Sequence, residues 1–268
     1  MMIDKGKRNV LGILMSAVDY EAAIEFVIRA AREGHGAAIS ALAVHGLMTG
    51  VSDREQKYRL NHFDLLTPDG HPVRWALNLM YGTALPDRVY GPNLTLIVCQ
   101  RAADVGLPVF FYGSTPTVLA GMRKFLRGRF PTLSIAGMEP SRFRRLNATE
   151  KVELVNRIRS SGARITFVGL GCPRQEVWAY EFRDALSMPV LAVGAAFPFF
   201  AGEVPQAPKW MQDRGLEWLF RLGAEPKRLW RRYILLNPAY LTLLALQVMH
   251  VFRPSTDGTL PRQELLYG

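Results

Sequence analysis

Asp69 stands in Leu65-Leu66-Thr67-Pro68-Asp69-Gly70-His71, after a short apolar run and before a glycine. A carboxylate held at the tip of a buried strand can face a cleft and act as a general base. The same Pro-Asp-Gly triplet is also ordinary turn chemistry, in which the carboxylate takes backbone N–H groups or caps the next helix. A second stretch, Gly169 to Glu176, reads GLGCPRQE and follows the apolar run Ile165 to Val168. Gly169 and Gly171 permit close backbone approach to a ligand. Pro173 suits the first helical position, which would leave first-turn N–H groups facing an anion, with Arg174 and Gln175 as added donors. The stretch lacks the third glycine of a dinucleotide turn and the Lys-Ser/Thr of a P-loop, so an ordinary strand-to-helix turn also fits the spacing.

Arg88, before Val89-Tyr90-Gly91, has the planar fork that clamps phosphates, or it pairs with its neighbour Asp87. His45, His62 and His71 show no metal-ligand spacing and read as polar or packing residues. The two cysteines, Cys99 and Cys172, form no zinc spacing and no disulfide framework. No Asp-x-Asp occurs in the chain. A bound diphosphate would therefore be neutralised by arginines and helix N-termini, and no metal or other cofactor is expected.

Positioning these groups requires a scaffold. With 268 residues, 49% of them hydrophobic, the chain can bury a substantial core and is not a disordered polymer. Short apolar runs at 37–44, 63–67, 109–112, 165–168 and 190–193 predict strands. Helix-like text lies between them at 73–81, 93–103, 117–126, 149–160 and 175–186, with a further stretch at 20–32 before the first run. That alternation predicts an α/β fold with a Rossmann-like parallel sheet, whose ligands bind at the carboxyl ends of the strands. The turns there carry candidate substrate-binding glycines: Gly70, Gly113 in YGSTP, Gly169, Gly171, and Gly194 in VGAAFP.

After Gly202 the pattern changes to apolar and basic helical text, so a boundary is placed at 203. Residues 1–203 form the core, and 204–268 a basic amphipathic appendage and tail. Lys209 to Arg253 carry a net charge of +5 out of the chain's +10. Tyr233 to Val251 contain no Asp, Glu, Lys or Arg, but Asn237-Pro238 predicts two shorter helices in place of a spanning rod. The run Lys227 to Tyr233 mixes basic, aromatic and aliphatic residues, as a helix lying on an anionic membrane does; a solvated helix packed on the core is the alternative. No helix-turn-helix, zinc finger or RRM signature is present, so no nucleic-acid partner is expected. The first residues have no long apolar segment or cleavage pattern of a signal peptide.

PDGHPVRWA, LPDRVYGPNL, VFFYGS, FVGLGCPRQEVW, VGAAFPFFAGEVPQAPKWMQDRGLEWLFRL and EPKRLWRRYILLNP together resemble the WecG/TagA/CpsF bacterial glycosyltransferases, from about Asn9 to Met249. The resemblance implies an inverting, metal-independent enzyme, peripheral on the cytoplasmic face of the inner membrane. Its substrates would be a UDP-sugar and a polyprenyl-diphosphate-linked saccharide. Asp69 matches the proposed catalytic base, Arg88 the arginine of an R-x-x-G segment, and Gln175 the glutamine of the glycine-proline motif. Arg214, Arg221, Arg228 and Arg231 fall in the appendage implicated in membrane docking and diphosphate contact. Many relatives have Thr-x-Asn where this chain has Ala41-Leu42-Ala43, followed by Val44 and the substrate-binding candidate His45. Relatives often carry Asp at the place of Pro198. These departures resemble the xanthan- or acetan-type subgroup that places glucose on a lipid-linked glucose in exopolysaccharide assembly. The alternatives are an N-acetylmannosamine-type donor and a non-catalytic nucleotide- or polyanion-binding protein. A homo-oligomer is left open.

Overall fold

The computed structural model describes residues 2–268, apart from the side chains of Arg228, Arg231, Arg232 and Tyr233. An antiparallel hairpin, β1 (Asp4–Val10) and β2 (Ile13–Val18), comes first. The sequence reading did not anticipate it, because β1 is charged and largely exposed and so shows no apolar alternation. Leu11 and Gly12 both have positive φ, +54° and +88°, the mirror-image turn whose twist matches paired strands. Ser16 of β2 accepts the Leu66 N–H at 3.1 Å, so the hairpin covers an edge of the main sheet.

Runs such as Val109-Phe110-Phe111-Tyr112 have no polar face to offer water and are stable only in a sheet covered on both sides. They become α1 (Tyr20–Glu33), β3 (Ala37–Leu42), α2 (Val44–Ser52), α3 (Arg54–Asn61), β4 (Leu65–Pro68), α4 (His71–Tyr81), α5 (Gly91–Asp104), β5 (Val109–Gly113), α6 (Pro116–Arg129), β6 (Ile135–Glu139), α7 (Ala148–Ser160), β7 (Ile165–Gly169), α8 (Arg174–Leu186), β8 (Pro189–Ala192) and α9 (Ala196–Phe200). The six later strands form one parallel sheet in the order β4-β3-β8-β7-β5-β6. The first strand is shorter than expected: it ends at Leu42, and Val44 starts α2 instead. Leu42 pairs with Pro68, Val168 with Ala192, and Gly113 with Gly169. The strands thus finish nearly level, and Ala43, Asp69, Ser114, Leu170 and Val193 gather along one edge.

Helix starts follow local chemistry. The Asp19 carboxylate accepts the Ala22 N–H, and Asn147 and Glu150 form a reciprocal capping box at α7. One core lies beneath α1, α5, α6 and α9, where Phe111 and Phe167 stack at 5.0 Å. The other lies beneath the hairpin, α2, α4, α7 and α8, with Trp178 stacked between Tyr112 and Phe182.

The appendage forms α10 (Lys209–Asp213), α11 (Glu217–Ala224), α12 (Pro226–Arg231), a π-helical turn (Arg232–Leu236) and α13 (Asn237–Val248). As expected, a separate helix starts at Asn237-Pro238, with the proline in the first turn of α13, and the π turn joins it to α12 without a coil residue. Proline clashes with the carbonyl four residues earlier, and a widened turn there removes the conflict. Among the described residues no helix is long and apolar enough to cross a membrane. Tyr240 of α13 is buried and donates to the Pro72 carbonyl at 3.1 Å. Gln247 bonds both Asn9 and Leu11 of the hairpin. The following segment returns across the core, where Glu181 accepts the N–H groups of Leu265 and Leu266.

Candidate active site

Asp69 follows the last residue of β4 and is held from two strands and a helix start. Its N–H donates to Leu42 O at 3.3 Å, and its Oδ1 accepts the Gly91 N–H, at the start of α5, at 2.7 Å. The carboxyl is pushed up to about 6, chiefly by burial. Arg88 and the Gly91 N–H pull it back, Glu217 raises it further and Arg221 lowers it. A carboxylate with these properties is ionised at neutral pH yet basic enough to take a proton in a transition state.

Asp69 lies where two cavities meet. The larger, about 420 Å³, spreads over the ends of β3, β8 and β7 and is lined by Ala41, His45, Gly171, Gln175, Gly194 and Arg221, among others. Gln175 is buried in its wall: Oε1 accepts the Gly194 N–H at 3.0 Å, and Nε2 donates to Glu176 Oε1 at 2.9 Å. The same Glu176 oxygen accepts the Ser40 hydroxyl at 3.1 Å. Burial raises the Glu176 carboxyl above the usual range, with hydrogen bonds from Gln175 and Ser40 acting against it. Sequence reasoning gave Glu176 no role, although it closes the GLGCPRQE stretch.

The smaller cavity, about 140 Å³, is shared with the appendage and lined by Gly70, His71, Arg88, Tyr90, Trp218 and Arg221, among others. Here the expectation for Arg88 changes. Its ion pair is not with Asp87, whose carboxylate takes only the Arg88 backbone N–H. Arg88 Nη2 instead donates to Glu217 Oε2 at 2.7 Å in a buried salt bridge, and Nη1 reaches the Asp69 carbonyl at 3.4 Å. Tyr90 donates its hydroxyl to the other Glu217 oxygen at 2.9 Å, and the Arg88 guanidinium lies 4.3 Å from the Tyr90 ring centroid. The fork read as a phosphate clamp is thus filled by a carboxylate. Glu217 and Tyr90 were both missed, because an acid within basic amphipathic text reads as a solvated counter-charge. Arg221 lines both cavities, and among the described residues its buried Nε has no hydrogen-bond partner.

A third cavity, about 350 Å³, adjoins the first across the Gly169 turn, over the ends of β5 and β7. Ser114, Thr115 at the start of α6, Phe143, Arg144, Arg174 and Tyr267 are among its lining residues. Arg174 lies 5.7 Å from the Tyr267 ring centroid. GLGCPRQE is therefore divided: Gly169 and Arg174 face this cavity, Gly171 and Gln175 the one beside Asp69. Pro173 is the N-cap of α8, one position before the first helical residue, and the Gln175 N–H is spent on Gly171 O at 3.0 Å.

The structure thus gathers Asp69, Gly70, His45, Arg88, Gly171, Gln175, Gly194 and Arg221 around two joined cavities. Gly113 instead packs against Gly169, whose carbonyl oxygen would lie 2.6 Å from an added Cβ. Arg214 is exposed and stacks over Trp210. The side chains of Arg228 and Arg231 lie outside the described residues. Away from the cleft, His62 stacks on Tyr58 at 3.9 Å. Among the described residues no three His, Cys, Asp or Glu side chains converge as a metal site. The family model described as "Glycosyl transferase WecG/TagA/CpsF family" matches residues 8–253.

Proposed function

The chain belongs to the WecG/TagA/CpsF glycosyltransferase family, and from that premise we propose that it transfers a sugar, glucose, from a UDP-sugar to a polyprenyl-diphosphate-linked saccharide with inversion. The acceptor hydroxyl gives its proton to Asp69 as its oxygen attacks the anomeric carbon. The bond from that carbon to the diphosphate oxygen breaks on the opposite face, and UDP leaves. Charge growing on the diphosphate is stabilised by Arg221, which lines both cavities, and no divalent ion is assigned to that task. The observation that carries this reading is Asp69 itself, a partly buried carboxylate of raised basicity where two cavities join.

The nucleoside has room in the third cavity, across the Gly169 turn, with Phe143 and arginines at hand. Ala41 and Ala43 offer only methyl groups where many relatives carry polar donors, and this favours glucose over an N-acetylated donor. Trp218, Leu219, Ile234 and Leu235 are exposed in the basic appendage, which supports peripheral docking on an anionic leaflet at the cytoplasmic membrane face. The donor preference is tested by offering a panel of radiolabelled UDP-sugars to polyprenyl-diphosphate-linked glucose in vesicles. Labelled lipid should form with UDP-glucose, and Asp69→Asn should lower kcat about 10²-fold or more with UDP affinity nearly intact. Binding of UDP without product from any donor would leave a nucleotide-binding protein instead.

A further inference from the structure

Glu217 is the one buried residue of α11, at 7% exposure, while its neighbours Trp218 and Leu219 are 42% and 48% exposed. An amphipathic helix that turns its acid inward and its tryptophan outward reverses the usual order. A buried carboxylate is costly unless paired and hydrogen-bonded, and both of its oxygens are engaged, by Arg88 and Tyr90. If the pair only fastened the helix, it could sit anywhere along the contact. It sits instead on the arginine that also touches Asp69.

We propose that Glu217 is a positioning residue for the transfer step: inserted from the appendage, it holds and neutralises Arg88 beside Asp69, so that the carboxylate stays basic enough to deprotonate the acceptor. The proposal rests on Asp69 being the base. An unpaired guanidinium next to a carboxylate favours its ionised form and weakens it as a base. Glu217 opposes this by placing its own negative charge beside Arg88 and near Asp69, which offsets the field of the guanidinium there. The other groups facing that carboxylate are Tyr90 and Arg221, with His45 of α2, His71 of α4, Glu176 of α8 and Glu225 in the surrounding walls, and Tyr20 and Asp87 behind. The Arg88 side chain donates to the Glu217 carboxylate. Because Glu217 belongs to the appendage, seating α11 and preparing the base become one event.

The test compares wild type, Glu217→Gln and Glu217→Asp as full chains, with UDP-glucose and polyprenyl-diphosphate-linked glucose in phosphatidylglycerol vesicles. The Asp69 carboxyl carbon, assigned by its loss in Asp69→Asn, is titrated in parallel by ¹³C NMR. In Glu217→Gln the Asp69 titration and the acid limb of kcat/KM should both move to lower pH by about half a unit or more, and kcat should fall about tenfold with the UDP-glucose KM within about twofold. Glu217→Asp should recover part of each change, and it stands in if the glutamine variant does not fold. An Asp69 titration that is the same in wild type and every folded Glu217 variant overturns the proposal, as does a kcat loss that only parallels lost thermal stability. Full transfer by Asp69→Asn would instead overturn the assignment of the base, whatever the Glu217 variants do.

Discussion

Gly194 leaves the space into which Gln175 places its side-chain oxygen: a Cβ on Gly194 would lie 2.1 Å from Gln175 Oε1, the atom that accepts the Gly194 N–H. Gly194→Ala should therefore expel the amide from the cavity wall. The cost is about 1–3 kcal/mol of stability from the broken buried hydrogen bonds, and the UDP-sugar KM should rise about tenfold as the Gly171 turn loses its support. Thermal melting and donor saturation curves check both, and an alanine variant with wild-type KM would show that Gln175 does not shape the donor site.

Asp69 also carries a stability signature. Burial raises its carboxyl from 3.8 to about 6, so the folded state binds this proton more tightly than the unfolded chain. The site's contribution is complete at low pH and is lost as pH rises through about 6. Asp69→Asn removes that loss and should be more stable than wild type at about pH 8, by about 1–3 kcal/mol after allowing for partial exposure, with the gap closing below about pH 4. Melting temperatures across that range measure it; a variant that is less stable than wild type at every pH would contradict the sign.

Arg221 is the described arginine that lines both cavities around Asp69, and among the described residues its buried Nε–H has no hydrogen-bond partner. Arg221→Gln should lower kcat on the order of 10²-fold, the scale of losing one preorganised charge stabiliser, and wild-type transfer should persist in EDTA. Rates abolished by the chelator and restored by a divalent ion would transfer the neutralising role to that ion.

Docking is better tested by point substitution than by removing the appendage, because Tyr240 belongs to the core and Gln247 ties α13 to the hairpin. Replacing Leu219, Ile234 and Leu235 together by Ser removes exposed apolar surface. Co-sedimentation with phosphatidylglycerol vesicles should drop about tenfold or more, with the circular dichroism spectrum unchanged. Equal binding of both proteins would place the docking surface elsewhere.

Much of the scaffold was legible because its signals are local. Val109 to Tyr112 and Ile165 to Val168 are apolar throughout, and a strand buried on both faces needs nothing else to be recognised. The charged β1 and the partly exposed β6 were not legible; each is held by backbone pairing with a buried neighbour, and side-chain pattern does not report that. The second residue of the Arg88 pair was hidden for a similar reason. Glu217 is separated from Arg88 by 129 positions and sits among residues that read as a membrane-facing helix.

From the amino-acid sequence alone came a parallel sheet, an acid at the tip of one of its strands, a proline-containing glycine turn and a basic helical appendage, all written in contiguous residues. Only the tertiary structure decided that Arg88 is held by Glu217, that Arg221 is left to face the cavities, and that the glycine turn is shared between two of them. Which charges meet depends on how distant segments pack, since burial strengthens a contact between ions and makes an unpaired one costly.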